Sequence, residues 1–176
     1  TNPSNWEGGY DFSAMKNGKV KRVDMQHEKA VAVRTFLYNM KRPIFADWRV
    51  RKALALAFDF DTLNKMVFAN SMQPADSLFG NTYLGHKGPA TESEIKALEP
   101  HKASIPEELY ETMVKTGFVP TRSKGDGDQR EILENAGQLL DSAGWKIVDG
   151  VRRNSKGEPL KIELMYKDAK FEKIIL

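Results

Sequence analysis

Apolar positions in residues 47–68 recur at helical spacing. Val50, Ala53, Leu54, Ala57 and Phe58 follow one another at i, i+3, i+4, i+7 and i+8, one face of an amphipathic helix, with Arg49, Arg51 and Lys52 elsewhere on the wheel. Asp47 stands where an N-cap belongs, able to accept from the free amides of the first turn. Asp59 or Asp61 restarts the count for a second helix, with Leu63, Met66 and Val67 as its inner face. Upstream, Val31, Val33, Phe36 and Tyr38 are β-branched or aromatic and predict a strand that ends in a sharp turn at Pro43.

The flanks are less regular. Residues 1–18 are rich in Asn, Ser and Gly and predict irregular chain with a short helical turn at 12–15; Gly18 then leads into a predicted strand at 19–23. Residues 69–89 hold Gly80, Gly85, Gly88, Pro74 and Pro89 and read as a long loop, a setting in which function concentrates. Thr91-Glu92-Ser93-Glu94 is a capping box opening a short helix that ends before Pro100, and Ser104-Ile105-Pro106-Glu107 predicts a second box and a helix through Met113. Asp128 with Glu131 predicts the start of the longest helix, its stripe formed by Ile132, Leu133, Ala136, Leu139, Leu140 and Ala143, with Gly144 as its C′ residue. Residues 145–153 predict a hairpin turning at Asp149-Gly150. Leu160, Ile162, Leu164 and Tyr166 alternate with polar neighbours and predict a half-buried strand, and 170–176 begins like a helix. The elements alternate without a strict β-α-β rhythm, which predicts a mixed α/β or α+β lobe.

Composition narrows the chemistry. With 27 Lys and Arg against 24 Asp and Glu, the net charge is +3, and acids are mixed through every Lys-rich segment, so no nucleic-acid partner is expected. The absence of cysteine removes disulfides, thiol catalysis and thiolate metal sites. No apolar run is long enough to span a bilayer. His27, His86 and His101 lack partners at metal-ligand spacing, and residues 125–128 fall short of a calcium loop, so no metal and no cofactor are expected. Asp59 and Asp61 admit an acid/base pair or half a metal site, but helix punctuation is the commoner use of such residues. Arg42, Arg49 and Arg51 admit an anion site, against solvated or acid-paired arginines. No nucleophile and base are assembled by any motif, so no catalytic residue is assigned.

The run FLYNMKRPIFADWRVRKALALAFDFDTLNKMVF resembles the signature of the extracellular solute-binding proteins of family 5, the periplasmic receptors of peptide, dipeptide and nickel ABC importers. Asn39, Pro43, Asp47, Arg49, Val50, Arg51, Ala53, Leu54 and Asp59 match, while Tyr38 replaces the usual Phe. Asn5-Trp6, residues 9–12 and the run NAGQLLDSAGW resemble the oligopeptide-binding subgroup that takes longer peptides and peptide-like antibiotics. The resemblance implies one lobe of a type II periplasmic-binding-protein-like fold. Residues 1–23 would be a lead-in or inter-lobe segment and 24–176 a partial second lobe, truncated at its C-terminus, in a chain excised from a longer one. It implies a periplasmic, non-enzymatic protein whose signal peptide is not in this chain. Its partners would be an oligopeptide held between two lobes, a permease in the inner membrane and the missing first lobe. The candidate ligand contacts are Tyr38 and Asn39 at the strand end, and Asn70, Ser77, Phe79 and Tyr83 in the long loop. The alternative function is a non-transport hydrolase or a small basic interaction module.

Overall fold

A computed structural model describes residues 9–23, 25, 29–30, 33–85 and 88–166. Mixed helices and a small sheet agree with the expected mixed class and with a partial solute-binding fold. The chain divides into two compact units, residues 1–36 with 72–121, and residues 37–71 with 122–176.

In the first unit, helix α1 (Ser13–Lys16) is a single turn, as the sequence predicts. The loop to residue 90 leads into α4 (Glu92–Leu98), where Thr91 and Glu94 form the expected capping box. A 3-10 segment, Glu99–Ser104, links it to α5 (Glu107–Lys115). Tyr110 on α5 donates its hydroxyl to Glu99 at 3.0 Å, and Lys102 lies 4.7 Å from the centre of the Tyr110 ring. The predicted Ser104 box does not form, because the helix begins two residues later than that box requires, with Pro106 as N-cap. Gly117 is required by proximity: at φ +72°, a Cβ there would fall 1.8 Å from the Gly88 carbonyl oxygen.

The second unit holds every buried apolar side chain among the described residues. Asp47 caps α2 (Trp48–Leu56), accepting from the Arg49 amide at 2.9 Å. Asp59 caps α3 (Phe60–Phe68), accepting from the Thr62 amide at 3.0 Å. Helix α6 (Arg130–Ser142) packs on α2 through Val50, Ala53, Ala136 and Leu140. The two alanines let the backbones approach, and Val50, at 1% exposure, is the centre of the cluster. Full burial of such a side chain contributes about 1.5–3 kcal/mol. Helix α6 ends as predicted: the Gly144 amide donates to Asp141 and the Trp145 amide to Leu140, the paired bonds of a Schellman turn. Strands β1 (Lys146–Val148) and β2 (Val151–Arg153) form the predicted antiparallel hairpin, with positive φ at Asp149 and Gly150. Arg152 ties that hairpin to α6 through Asp141 at 2.7 Å, and it also donates to the Trp145 carbonyl, just past the end of the helix, at 2.6 Å.

Six further expectations are corrected. Residues 19–23 and 33–38, with Asp24 and Val31 outside the described residues, form no strand, and neither do residues 160–166. A strand exists only with a neighbour to complete its ladder, and among the described residues only the hairpin supplies one. On α3 the inward position is Asn64, while Met66 and Val67 are exposed. On α6 Leu133 is exposed, so the stripe narrows to Ala136 and Leu140 with Leu139 and Ala143 beside them. Asp128 accepts from the Arg130 amide at 3.2 Å, but Gln129 occupies the N-cap, so the expected box with Glu131 is shifted out of register. The helix expected at 170–176, His27, His86 and the Asn5-Trp6 match lie outside the described residues.

Candidate functional site

The six candidate ligand contacts fall three in each unit. In the second, Tyr38 is half-buried: its hydroxyl donates to the Arg51 carbonyl at 3.2 Å and its ring tilts against Phe45 with centroids 5.3 Å apart. Burial pushes its phenol above the usual range, against the opposing charge of Arg51. Asn39 is exposed; its Oδ1 accepts from the Lys41 amide at 3.1 Å and its carbonyl accepts from Arg42, so the side chain shapes the turn into Pro43. Asn70 is exposed in a left-handed conformation (φ +57°), and its amide closes α3 by donating to the Asn64 carbonyl at 3.0 Å. In the first unit, Ser77 Oγ accepts from the Phe79 amide at 3.1 Å, and the Phe79 carbonyl accepts from both the Thr82 amide and its hydroxyl. These bonds curl the long loop so that Phe79 (54% exposed) and Tyr83 (96%) face solvent.

The three arginines weighed as an anion site are each engaged by the protein. Arg42 pairs with Glu163 at 2.6 Å. Arg49 forks onto Asp47 and donates to the Ser142 carbonyl at 2.7 Å, bringing the start of α2 against the end of α6. Arg51 donates to the Phe45 and Ala46 carbonyls.

The two aspartates weighed as an acid/base pair hold the loop at 122–125 instead. Asp61 accepts from Arg122 Nε at 2.8 Å and Nη2 at 2.5 Å, and from the Ser123 amide at 2.7 Å. The Arg122 hydrogen bond holds the Asp61 carboxyl below the usual range, with burial opposing. Asp59 accepts from the Ser123 hydroxyl at 2.7 Å. Burial disfavours its charge, but the bonds from Ser123 and Thr62 prevail and its pKa is lowered too. Two carboxylates both held ionised by fixed donors do not divide into an acid and a base. Sequence reading places Arg122 and Ser123 in a loop and misses this role. Gly125 and Gly127 signal a turn there, but nothing local names the carboxylates it meets.

Arg122, Ser123 and Lys124 also line an open depression of about 470 Å³ with residues at the start of α6. Arg122, Lys124 and Arg130 alternate there with Asp128, Glu131 and Glu134, so neither sign of ion finds a net attraction. Among the described residues no cluster of His, Asp and Glu could hold a metal ion, and no helix is long and apolar enough to cross a membrane.

Residues 4–175 match the family described as bacterial extracellular solute-binding proteins, family 5 middle region. The chain is 34% identical over 162 residues to YejA of Escherichia coli strain K12, covering 92% of this chain and 26% of that protein. It is 30% identical over 176 residues to an Agrobacterium fabrum protein named "Probable peptide-binding protein YejA", covering 98% of this chain and 28% of the relative. It is also 30% identical over 174 residues to a second protein of that organism, the peptidoglycan-binding protein YepA, again covering 98% and 28%. The chain thus spans about a quarter of the length of the curated relatives it matches. With the family match running over nearly all of its residues, this chain belongs to the bacterial extracellular solute-binding proteins of family 5.

Proposed function

We propose that the whole protein is the solute-binding component of an ABC importer, a periplasmic receptor that captures extended oligopeptides and delivers them to a membrane permease. The observation that carries this reading is the family match over 4–175, joined by a relative named for peptide binding. The chemistry of the described residues supports binding rather than turnover: the acids at Asp47, Asp59 and Asp61 are spent on helix starts and on arginine. In this reading residues 24–176 contribute part of the second lobe, and the rest of the polypeptide supplies the first. Peptide backbone would be held by strand-like pairing, its side chains by wet, permissive pockets, and lobe closure would signal the permease. Asn39, Asn70, Phe79 and Tyr83 supply exposed amide and aromatic groups to the cargo. Tyr38, half-buried against Phe45, and Ser77, which holds the turn at Phe79, complete the contacts in this reading.

The relative named for peptidoglycan binding favours a second cargo, cell-wall fragments that carry short peptides. Native mass spectrometry of the whole protein, purified without denaturation, tests both. Co-purified masses forming a peptide ladder, lost on mild unfolding, support the oligopeptide receptor. Selective retention of sugar-bearing wall fragments from a mixed offering would move the reading to the second cargo. A bare mass unchanged by either mixture would overturn both.

A further inference from the structure

In the first unit, the long loop curls on itself between Ser77 and Gly85. The Thr82 amide and hydroxyl donate to the Phe79 carbonyl, and the Gly85 amide donates to the Thr82 carbonyl at 3.0 Å. A Cβ on Gly85 would fall 2.8 Å from the Phe79 carbonyl oxygen, so the curl is tight. It turns Phe79 and Tyr83 to solvent, and residues 77–85 carry no charged side chain. The crown of the curl is tied by Asn81, whose Nδ2 donates to the Lys29 carbonyl at 2.7 Å. Its exit is tied at the end of α5. There the Ala90 amide donates to the Met113 carbonyl at 2.8 Å, and the Gly88 carbonyl lies in the space that any Cβ on Gly117 would occupy.

Gly117 also has the conformation of a helix stop, at φ +72° with its amide on the Thr112 carbonyl at 2.8 Å. Gly18, just after α1, has the same hand at φ +70° and meets nothing within 4 Å. The helix stop therefore accounts for the positive φ of Gly117 and not for its contact with Gly88. Each residue of chain spans at most about 3.6 Å, so the end of the curl at Gly85 stays within about 11 Å of that clamp.

We infer that Gly117 is a positioning residue for the cargo, acting through the loop: its missing side chain seats Gly88 and so sets where Phe79 and Tyr83 stand. The inference rests on the peptide reading proposed above, in which those two rings meet the cargo. Rings fixed before the peptide arrives cost less to order on binding.

Gly117→Asn in the whole protein tests it, because asparagine accepts the left-handed conformation but brings a Cβ. The probe is the most abundant peptide that co-purifies with the protein, made synthetically. Its affinity should fall about tenfold as preorganisation is lost. Without peptide, the amides of Thr82 and Gly85 should exchange about tenfold faster, while the Leu140 amide in the core of the second unit keeps wild-type protection. Gly18→Asn makes the same change without the contact and should bind the peptide as tightly as wild type. Equal affinities of Gly117→Asn and wild type overturn the inference. An equal loss in Gly18→Asn also overturns it and would assign the effect to backbone strain. If Gly117→Asn unfolds, two glycines inserted after Gly85 part the curl from the clamp and leave α5 intact. That variant should lose the same factor in affinity, and wild-type affinity there overturns the inference. A wild-type protein that binds no peptide fails the reading itself and the inference with it, and is recognised before any variant is compared.

Discussion

Arg122 grips Asp61 across 61 residues of sequence, placing both Nε and Nη2 on one carboxylate at 2.8 and 2.5 Å. The Asp61 side chain is 11% exposed and that of Arg122 is 53% exposed, so the pair has a sheltered acid and a wet base. The Ser123 amide adds a third donor, and the neighbouring hydroxyl turns to Asp59. The loop at 122–125 is thereby fastened to the start of α3 by charge-assisted bonds.

The pH dependence of that fastening follows from the lowered pKa of Asp61, whose first cause is the Arg122 bond. An aspartate with a folded pKa below its unfolded value of about 3.9 stabilises fully above that value, and the contribution is lost as pH falls through the folded pKa. Asp61→Asn should therefore lower stability by about 1 kcal/mol at pH 7, after discounting for solvent screening. The difference from wild type should be smaller at about pH 3 than at pH 7, because the contribution is lost only as pH falls below the unfolded value. Urea unfolding at both pH values checks this; a difference unchanged at the acid end would mean that the ionised carboxylate is not what matters.

Asp47 does two tasks with one carboxylate: it caps α2 and orients Arg49, whose Nη1 reaches the Ser142 carbonyl at the end of α6. The Arg49 hydrogen bond is the leading cause of its lowered pKa, so its stabilisation too is present above about pH 4 and lost in acid. Asp47→Ala should cost about 1 kcal/mol as a lost N-cap, and Asp47→Asn less, since the amide oxygen can still accept from Arg49 N–H. Equal losses in the two variants, measured by chemical denaturation, would assign the effect to charge and not to capping.

What could be read in the sequence divides by range. Asp47, Asp59, the Thr91 box, Gly144 and the Asp149-Gly150 turn were legible because each acts within a few residues of itself. The strands expected around Phe36 and Ile162 were not, because alternation records a preference for a pleated surface and says nothing about whether a partner is present. The Asp61–Arg122 pair was invisible for the same reason, as was the way Tyr38 spends its hydroxyl on Arg51. On α6 the period was right but the stripe was too wide, since among the described residues the core cluster joins it to α2 alone. Leu140→Ala should accordingly cost about 2–4 kcal/mol. Leu133→Ala, at 47% exposure, should stay within about 0.5 kcal/mol of wild type. Comparable losses at the two positions would place a second packing surface over Leu133.

Tyr38 and Asn39 are adjacent but differently committed. The Tyr38 hydroxyl is consumed by the Arg51 carbonyl, so Tyr38→Phe should lower stability by about 1 kcal/mol and leave peptide affinity of the whole protein within about twofold. Asn39 is exposed, and its Nδ2 has no partner among the described residues. If that amide meets cargo, Asn39→Ala should weaken binding about tenfold, the equivalent of one hydrogen bond. Titration calorimetry with a peptide from the co-purified set reads both. An affinity loss confined to the Tyr38 variant would reverse these roles.

Thr62 offers a change in the opposite direction. Its amide donates to Asp59, while its buried Oγ1 makes no well-formed hydrogen bond among the described residues and only helps, from beside the Asp59 carboxylate, to hold that acid ionised. A buried hydroxyl left unpaired costs free energy that a methyl group of similar size avoids. Thr62→Val keeps the β-branched shape and the backbone bond to Asp59 while removing the orphaned oxygen. It should raise stability by about 1 kcal/mol, whereas Thr62→Ala should gain less because it also removes packing. Thermal unfolding of the two variants separates the terms. A loss of stability in Thr62→Val would mean that the hydroxyl is satisfied in solution by the Asp59 carboxylate, whose charge it helps to hold.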